Sequence, residues 1–173
     1  MGFPARLAAL CVSGLVCSLP LAAATVCVCV VESGLPAEAA PAEASSAWEA
    51  GLMAAFFDAG HIVTNAAIVR VPASDEEGRP TLPDRRFGAL AAKDGGADIL
   101  SVVVLDYHGA VSSAESAARP SPSGVAYRVL DLGSGSVIAE GVDEFQVGTD
   151  TATDEAREAG RLARIMMTRL KEW

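Results

Sequence analysis

The sequence predicts a single compact α/β (α+β) domain, with three helices on a mixed sheet of four to five strands and a helix at the C-terminus. Three observations predict it. Residues 25–31 and 99–107 are runs of β-branched and apolar residues that are typical of buried strands. Between them, apolar residues recur at helical spacing. A Gly-Ser turn at residues 133–136 separates two further apolar runs, which indicates an antiparallel hairpin.

The first 24 residues have the pattern of a signal peptide. Arg6 supplies the positive start, residues 7–19 form an apolar segment, and Ala22, Ala23 and Ala24 form a cleavage site of small residues. A bilayer span needs about 20 apolar residues, so this segment is short for an anchor. We expect cleavage after Ala24, which places a single domain of residues 25–173 in the periplasm or outside the cell. An uncleaved anchor is the alternative.

Two of the four cysteines lie in the leader, so Cys27 and Cys29 remain. They are two residues apart in a predicted strand and therefore share a face, where a direct disulfide would be strained. We interpret both as small buried hydrophobes, because a zinc site would need further ligands. Lipidation of Cys27 is an alternative. However, Val26 is a poor match to the small residue that precedes a lipidated cysteine, and cleavage before Cys27 would cut into the predicted strand.

The first helix is predicted to begin at Ser46, which has capping-box spacing to Glu49, and to end at Gly60. The linker-like residues 35–44 precede it. Its apolar stripe consists of Trp48, Leu52, Phe56 and Ala59, widened by Met53 and Phe57. Residues 61–71 are predicted to form the second strand.

A second short helix is predicted after a cap at Thr81, with Phe87, Leu90 and Ala91 as its apolar stripe. Residues 99–107 should form a central strand, and residues 110–123 a mobile loop. The hairpin strands are predicted at 125–132 and 137–145. A last helix then starts at Thr151 or Thr153, and its apolar face consists of Ala159, Leu162, Met166 and Leu170.

The chain is acidic, with 22 Asp and Glu against 13 Lys and Arg and a net charge of −9. Nucleic acid is therefore an unsuitable partner, because its binding needs a basic surface. The basic residues of the last helix lie towards its C-terminus, where they complement the helix dipole.

Several strings resemble a known envelope domain. They are Gly96-Ala97-Asp98 before a strand, Gly60-His61-Ile62-Val63 after a helix, and the hairpin with Leu130-Asp131 before the turn and Val137-Ile138 after it. Together they resemble the α/β domain of curli-export channel lipoproteins, the N-terminal domain of the Tol translocation protein and lipoprotein activators of penicillin-binding proteins. The resemblance implies a non-enzymatic envelope module that docks on partners or assembles, with no catalytic residues to carry over.

Few residues of this chain are candidates for a catalytic role. Asp106 and His108 are two apart at a strand end, so they could form a general-base pair or half of a metal site. A small periplasmic hydrolase or metal-dependent enzyme using them is the alternative function. No nucleophile elbow, zinc-protease motif or phosphate loop is present, so we expect no enzyme activity, no catalytic or metal site and no cofactor.

The function predicted from the sequence is therefore that of an exported, non-enzymatic protein that docks on or assembles with protein partners of the bacterial cell envelope. We expect the partner-binding residues at a strand end and the loop that follows it, because loops on a rigid sheet commonly carry recognition. These residues are Asp106, Tyr107, His108 and Arg119. Oligomerisation is left open, and membrane contact is expected only through the leader or a lipid on Cys27.

Overall fold

One mixed sheet organises the part of the chain that the computed structural model describes, which is residues 23–35, 42–71, 82–107, 122–144 and 152–172. In chain order the elements are β1 (Thr25–Ser33), α1 (Glu43–Asp58), β2 (Ile62–Asn65), β3 (Val69–Val71), α2 (Ala89–Asp94), β4 (Ile99–Asp106), β5 (Gly124–Asp131), β6 (Val137–Glu144) and α3 (Ala152–Glu172). None of the described helices has the length and apolar character that crossing a bilayer requires.

The strands lie in the order β2-β1-β4-β5-β6, and β3 continues along the same side of β1 as β2. The sheet is therefore five strands wide. β1 is parallel to β2, β3 and β4, whereas β5 is antiparallel to both of its neighbours, β4 and β6. The predicted fold class, three helices with a mixed sheet and a C-terminal helix, is confirmed.

Alternation along β1 divides the core into two layers. Val26, Val28 and Val30 lie in one apolar cluster with α1 and α3. Cys27, Cys29 and Val31 lie in the other cluster, beside α2. Since successive side chains of a strand point to opposite faces, a strand covered on both faces must be apolar throughout, which is why residues 26–31 are uninterrupted by polar residues.

The helices α1 and α3 pack directly against each other over one face of the sheet. Gly51 marks their closest approach, because a Cβ atom there would contact the carbonyl oxygen of Ala156 and lie 2.8 Å from its Cα atom. Below this crossing the large buried side chains of the two helices, Trp48, Leu52, Phe56, Leu162 and Met166, contact the sheet. Met166 Sδ also accepts a hydrogen bond from Ser101 Oγ at 3.4 Å.

The helix α2 covers the other face of the sheet, so two of the three described helices lie on one face and one on the other. It spans six residues and begins after Gly88, whose φ of 70° is left-handed, so the predicted cap at Thr81 was wrong. Ala92 is buried, whereas Leu90 is 73% exposed. Arg128 of β5 holds the segment before α2, because its guanidinium donates to the carbonyl oxygen of Pro83 at 2.7 Å.

Two other boundaries differ from prediction. The helix α1 begins at Glu43, and its N-cap is Ala42 with no side-chain cap, so the capping box at Ser46 was wrong. The predicted second strand is divided into β2 and β3. The hairpin, the central strand and the last helix are confirmed within about two residues. Most of the leader and of the predicted loop at 110–123 lies outside the described residues.

The crossing of α1 and α3 leads to a prediction about two glycines. Gly51→Ala should lower the free energy of unfolding by about 1–3 kcal/mol, because the two helix backbones must separate. Gly160→Ala is the matched control: its Cβ would meet only Arg164 Nη1 at 3.7 Å. Replacing this helical glycine should raise the free energy by about 0.5–1 kcal/mol. Urea denaturation would measure both, and equal effects of the two substitutions would contradict the close crossing.

Candidate functional site

The carboxyl ends of β1 and β4 lie beside several of the buried polar side chains of the described residues. The strands are parallel neighbours with Glu32 opposite Leu105 and Ser33 opposite Asp106, so both end at the same edge of the sheet. In open α/β sheets this edge is where ligands commonly bind. The carboxyl-edge cluster consists of Glu32, Ser33, Ser45, Asp106 and Tyr107, and all five residues are buried.

Glu32 connects the end of β1 to the start of α1. Its Oε1 atom accepts a hydrogen bond from the backbone N–H of Ala42 at 2.7 Å. Ala42 has no side chain that could cap the helix, and a carboxylate is favourable at a helix N-terminus because of the helix dipole. Glu32 therefore supplies across space the acceptor that a local capping residue would otherwise provide.

Tyr107 connects the end of β4 to the same helix. Its hydroxyl lies 2.7 Å from Ser45 Oγ, in a hydrogen bond between two fully buried side chains. The backbone N–H of Tyr107 donates to the carbonyl oxygen of Ser33 at 2.9 Å, which continues the pairing of β4 with β1. Buried polar groups of this kind fix a unique arrangement, because each would be costly without its partner.

Two of the four residues predicted to bind a partner, Asp106 and Tyr107, lie at this edge among the described residues. Asp106 is 4% exposed, and its backbone oxygen accepts hydrogen bonds from Ser123 N at 2.7 Å and from Ser123 Oγ at 3.2 Å. Tyr107 points into the core beneath α1. His108 and Arg119 lie outside the described residues, so their part in partner binding stays a prediction.

The geometry of the carboxyl-edge cluster favours a structural role. Its described hydrogen bonds run from strand ends to the first turn of α1 and to Ser123, and its side chains are closed off from solvent. A catalytic group must reach its substrate, and Ser45 and Tyr107 are fully buried. Within the described ranges, no group of three or more His, Cys, Asp or Glu side chains could hold a metal ion.

A second candidate lies on the opposite face, where Cys27 and Cys29 are both buried and unbridged. They border a cavity of about 270 Å³ between β1 and α2. Burial, together with the smaller effects of the nearby Cys27 and Glu49, raises the pKa of the Cys29 thiol to about 11. At neutral pH this sulfur is therefore a protonated thiol.

A third candidate is the outer edge formed by β2 and β3. No other strand pairs with its free side in the part of the chain that the structure describes. Two large apolar side chains are exposed beside it, Phe57 at the end of α1 (70%) and Ile62 at the start of β2 (59%). Sequence reasoning missed Phe57, which was assigned to the buried stripe of α1. An unpaired strand edge with exposed apolar residues is a template for pairing with another chain.

Comparisons with known proteins found similarity to several solved structures at low sequence identity. No family model and no curated protein matches the sequence. A PelC dodecamer from Paraburkholderia phytofirmans matches with a TM-score of 0.45 and 15% identity, over 83% of this chain and 88% of that chain. A competence-damaged protein (CinA) superfamily protein from Klebsiella pneumoniae matches with a TM-score of 0.40 and 15% identity, over 84% and 88%. A hypothetical protein from Chlamydia trachomatis matches with a TM-score of 0.44 and 13% identity, over 86% of this chain and 96% of that chain.

The resemblance to curli-export channel lipoproteins, the Tol translocation protein and penicillin-binding-protein activators was wrong, since the matched structures are PelC and CinA-like proteins. The strings that suggested it have local structural causes. Gly96 has a left-handed φ of 80°. Asp98 accepts a hydrogen bond from Thr25 N at 2.8 Å. Asp131 accepts hydrogen bonds from the side chain and backbone of Ser134, which lower its pKa.

The hydrogen bond between Ser45 and Tyr107 leads to a prediction about stability. Ser45→Ala and Tyr107→Phe should each lower the free energy of unfolding by about 1–3 kcal/mol, because each leaves a buried hydroxyl without this partner. The double substitution should lower the free energy of unfolding by less than the sum of the two single effects, as expected for residues in contact.

Ser46→Ala is the matched control, since Ser46 is an exposed neighbour in the same turn. Its effect should stay within about 0.5 kcal/mol, whereas loss of an N-cap would cost about 1 kcal/mol. A double-mutant cycle by chemical denaturation measures all four variants. Additive costs at Ser45 and Tyr107, or a larger cost at Ser46, would contradict this arrangement.

Proposed function

We propose that this protein is a non-enzymatic docking module of the bacterial cell envelope, exported by residues 1–24, that binds an extended segment of a protein partner along the β2–β3 edge. The observation that carries the proposal is the open edge with Phe57 and Ile62 exposed beside it. A peptide that adds a strand gains backbone hydrogen bonds from the edge and specificity from its alternate side chains.

The position of the edge suits this role. β2 and β3 pair with β1, so the edge is attached to a strand that is buried on both faces. A docked strand would therefore meet a preformed surface, and little ordering would be needed on this side of the complex.

Charge near the edge indicates the chemistry of the partner segment. Glu49 of α1 lies beside the end of β2, where its Oε1 atom accepts a hydrogen bond from Asn65 Nδ2 at 3.1 Å. Asp58, at the end of the same helix, is exposed. The chain as a whole carries a net charge of −9. A partner segment that alternates apolar and basic residues would complement both the exposed apolar side chains and this acidic surface.

Burial also argues against the alternatives. Asp106, the proposed half of a catalytic pair with His108, is nearly inaccessible, which supports a non-enzymatic function. Cys27 is the third residue of β1 and is buried. Lipidation there would remove Thr25 and Val26 from the strand, so we propose that the protein carries no lipid on Cys27.

The proposal predicts that Ile62→Lys weakens peptide binding and leaves the fold intact. The purified protein would be screened against a displayed library of random short peptides, and enriched peptides should alternate apolar and basic residues. Lysine at an edge position opposes strand addition. We expect affinity to fall by about 10-fold or more, which corresponds to at least about 1.4 kcal/mol. Calorimetry would measure it.

Val142→Lys is the matched control, because Val142 is 64% exposed on β6 at the opposite edge of the sheet. It should bind the enriched peptides as the unchanged protein does. Backbone N-methylation of a peptide at alternate residues should abolish its binding by removing the donors that strand addition needs. Equal effects of the two lysine substitutions, or undiminished binding of the methylated peptide, would contradict docking at this edge.

A further inference from the structure

A surface groove of about 270 Å³ lies between β2 and α2. Its floor is formed by buried residues of β1 and β4, which are Cys27, Cys29 and Leu100. Its walls are exposed, with Thr64 on the β2 side and Ala91 on the α2 side. This opening, the α2 groove, is therefore accessible from solvent beside the same strand edge to which a partner segment would be added.

The pairing of β2 with β1 decides which side chains of an added strand would meet the α2 groove. Thr64 lies opposite Cys27, and Ile62 is two residues before Thr64, so both are on the face of the sheet that α2 covers. Val63 between them packs on the other face, against the cluster of α1 and α3. A strand added to β2 would follow the same alternation, because residues opposite each other on neighbouring strands share a face. Every second side chain would therefore lie beside the α2 groove.

The two faces of the edge differ in charge. Among the described residues, no charged side chain lines the α2 groove. A charged partner residue there would lose hydration without a compensating charge. On the other face, Glu49 of α1 reaches the edge strand, since it accepts a hydrogen bond from Asn65 Nδ2 at 3.1 Å. The basic residues of a partner segment therefore suit the α1 face, and its apolar residues suit the α2 face.

Distance selects the length of the apolar side chain. Neighbouring strands are about 4.8 Å apart, so the backbone of a strand added to β2 would lie roughly 9.6 Å from that of β1. Long and aromatic side chains reach beyond the nearest neighbour across a sheet, whereas short ones contact only the adjacent strand. Alanine or valine would therefore contact Thr64 alone. Phenylalanine or methionine would reach the apolar floor at Cys27.

We propose that the α2 groove is a specificity pocket, which takes a long apolar side chain, phenylalanine or methionine, from a partner strand added to β2. The inference rests on the docking function proposed above and adds to it which residue is recognised and which face it occupies. Cys27 and Cys29 serve here as small, uncharged and polarisable residues of the pocket floor.

The test uses two capped synthetic peptides as probes. In both, lysine alternates with valine, and the central apolar residue is phenylalanine in one peptide and alanine in the other. We expect the unchanged protein to bind the phenylalanine peptide about 10-fold more tightly, because the ring is buried in the groove. Calorimetry would measure both affinities.

Ala91→Phe fills the α2 groove from the helix side. The ratio of the two affinities should fall from about 10 to about 1. Affinity for the alanine peptide should stay unchanged, which also verifies that the variant is folded. Leu90→Phe is the matched control: it places the same ring one position earlier, at a side chain that is 73% exposed and does not line the groove. It should keep the ratio of the unchanged protein.

The outcomes separate this inference from the docking function. Equal affinity of the unchanged protein for the two peptides, or the same ratio in the Ala91→Phe and Leu90→Phe variants, would overturn the specificity pocket. If Ile62→Lys still weakened binding in that case, docking at the edge would stand. Peptide binding that Ile62→Lys leaves unchanged would overturn the docking function and this inference with it.

Discussion

The burial of β1 on both faces and along both edges is the constraint on which the rest of the structure depends. Every residue from Val26 to Ser33 is buried. The strand therefore has an apolar contact on each face and a backbone partner on each side, from β2 and β3 on one edge and from β4 on the other. Each other layer is attached to it directly or through β4. The buried Glu32 at its end is tolerated because the start of α1 supplies a hydrogen bond to its carboxylate.

This constraint separates the residues that support the structure from those that can meet a partner. At the carboxyl edge the side chain of Tyr107 is directed inward. It follows the same alternation as Val103 and Leu105, which lie in the core beneath α1. The surfaces left for recognition in the described residues are peripheral, and the β2–β3 edge combines open backbone with exposed apolar side chains.

The sequence predicted the elements that residues close together in the chain determine, such as a tight turn, and those with a regular hydrophobic pattern. The runs of β1 and β4, the Gly-Ser hairpin turn and the amphipathic pattern of α3 contain enough information within themselves. The start of α1 could not be predicted in this way, because its N-terminal acceptor is Glu32, ten residues earlier and across a connection. Ser46 had the spacing of a cap, and the tertiary hydrogen bond from Ala42 to Glu32 overrode it, whereas Thr81 lies outside the described residues.

The candidate site was predicted in the right region but with some side chains assigned to the wrong environment. The strand end at Asp106 is where the sequence placed it, yet Tyr107 is buried. Alternation counted from Ile99 could have shown this, since odd-numbered residues of β4 share one face. Phe57 is exposed because it lies about 100° around α1 from its neighbour Phe56, which is fully buried. His108 and Arg119 remain predictions.

Native-state hydrogen exchange tests the central role of β1 most directly. If β1 anchors the structure, the amides of Val28, Cys29 and Val30 should exchange only through global unfolding, with a free energy equal to that from denaturation. The outward amides of β2 should exchange through local opening at a much lower free energy. Exchange of the β1 amides as fast as those of β2 would contradict the account.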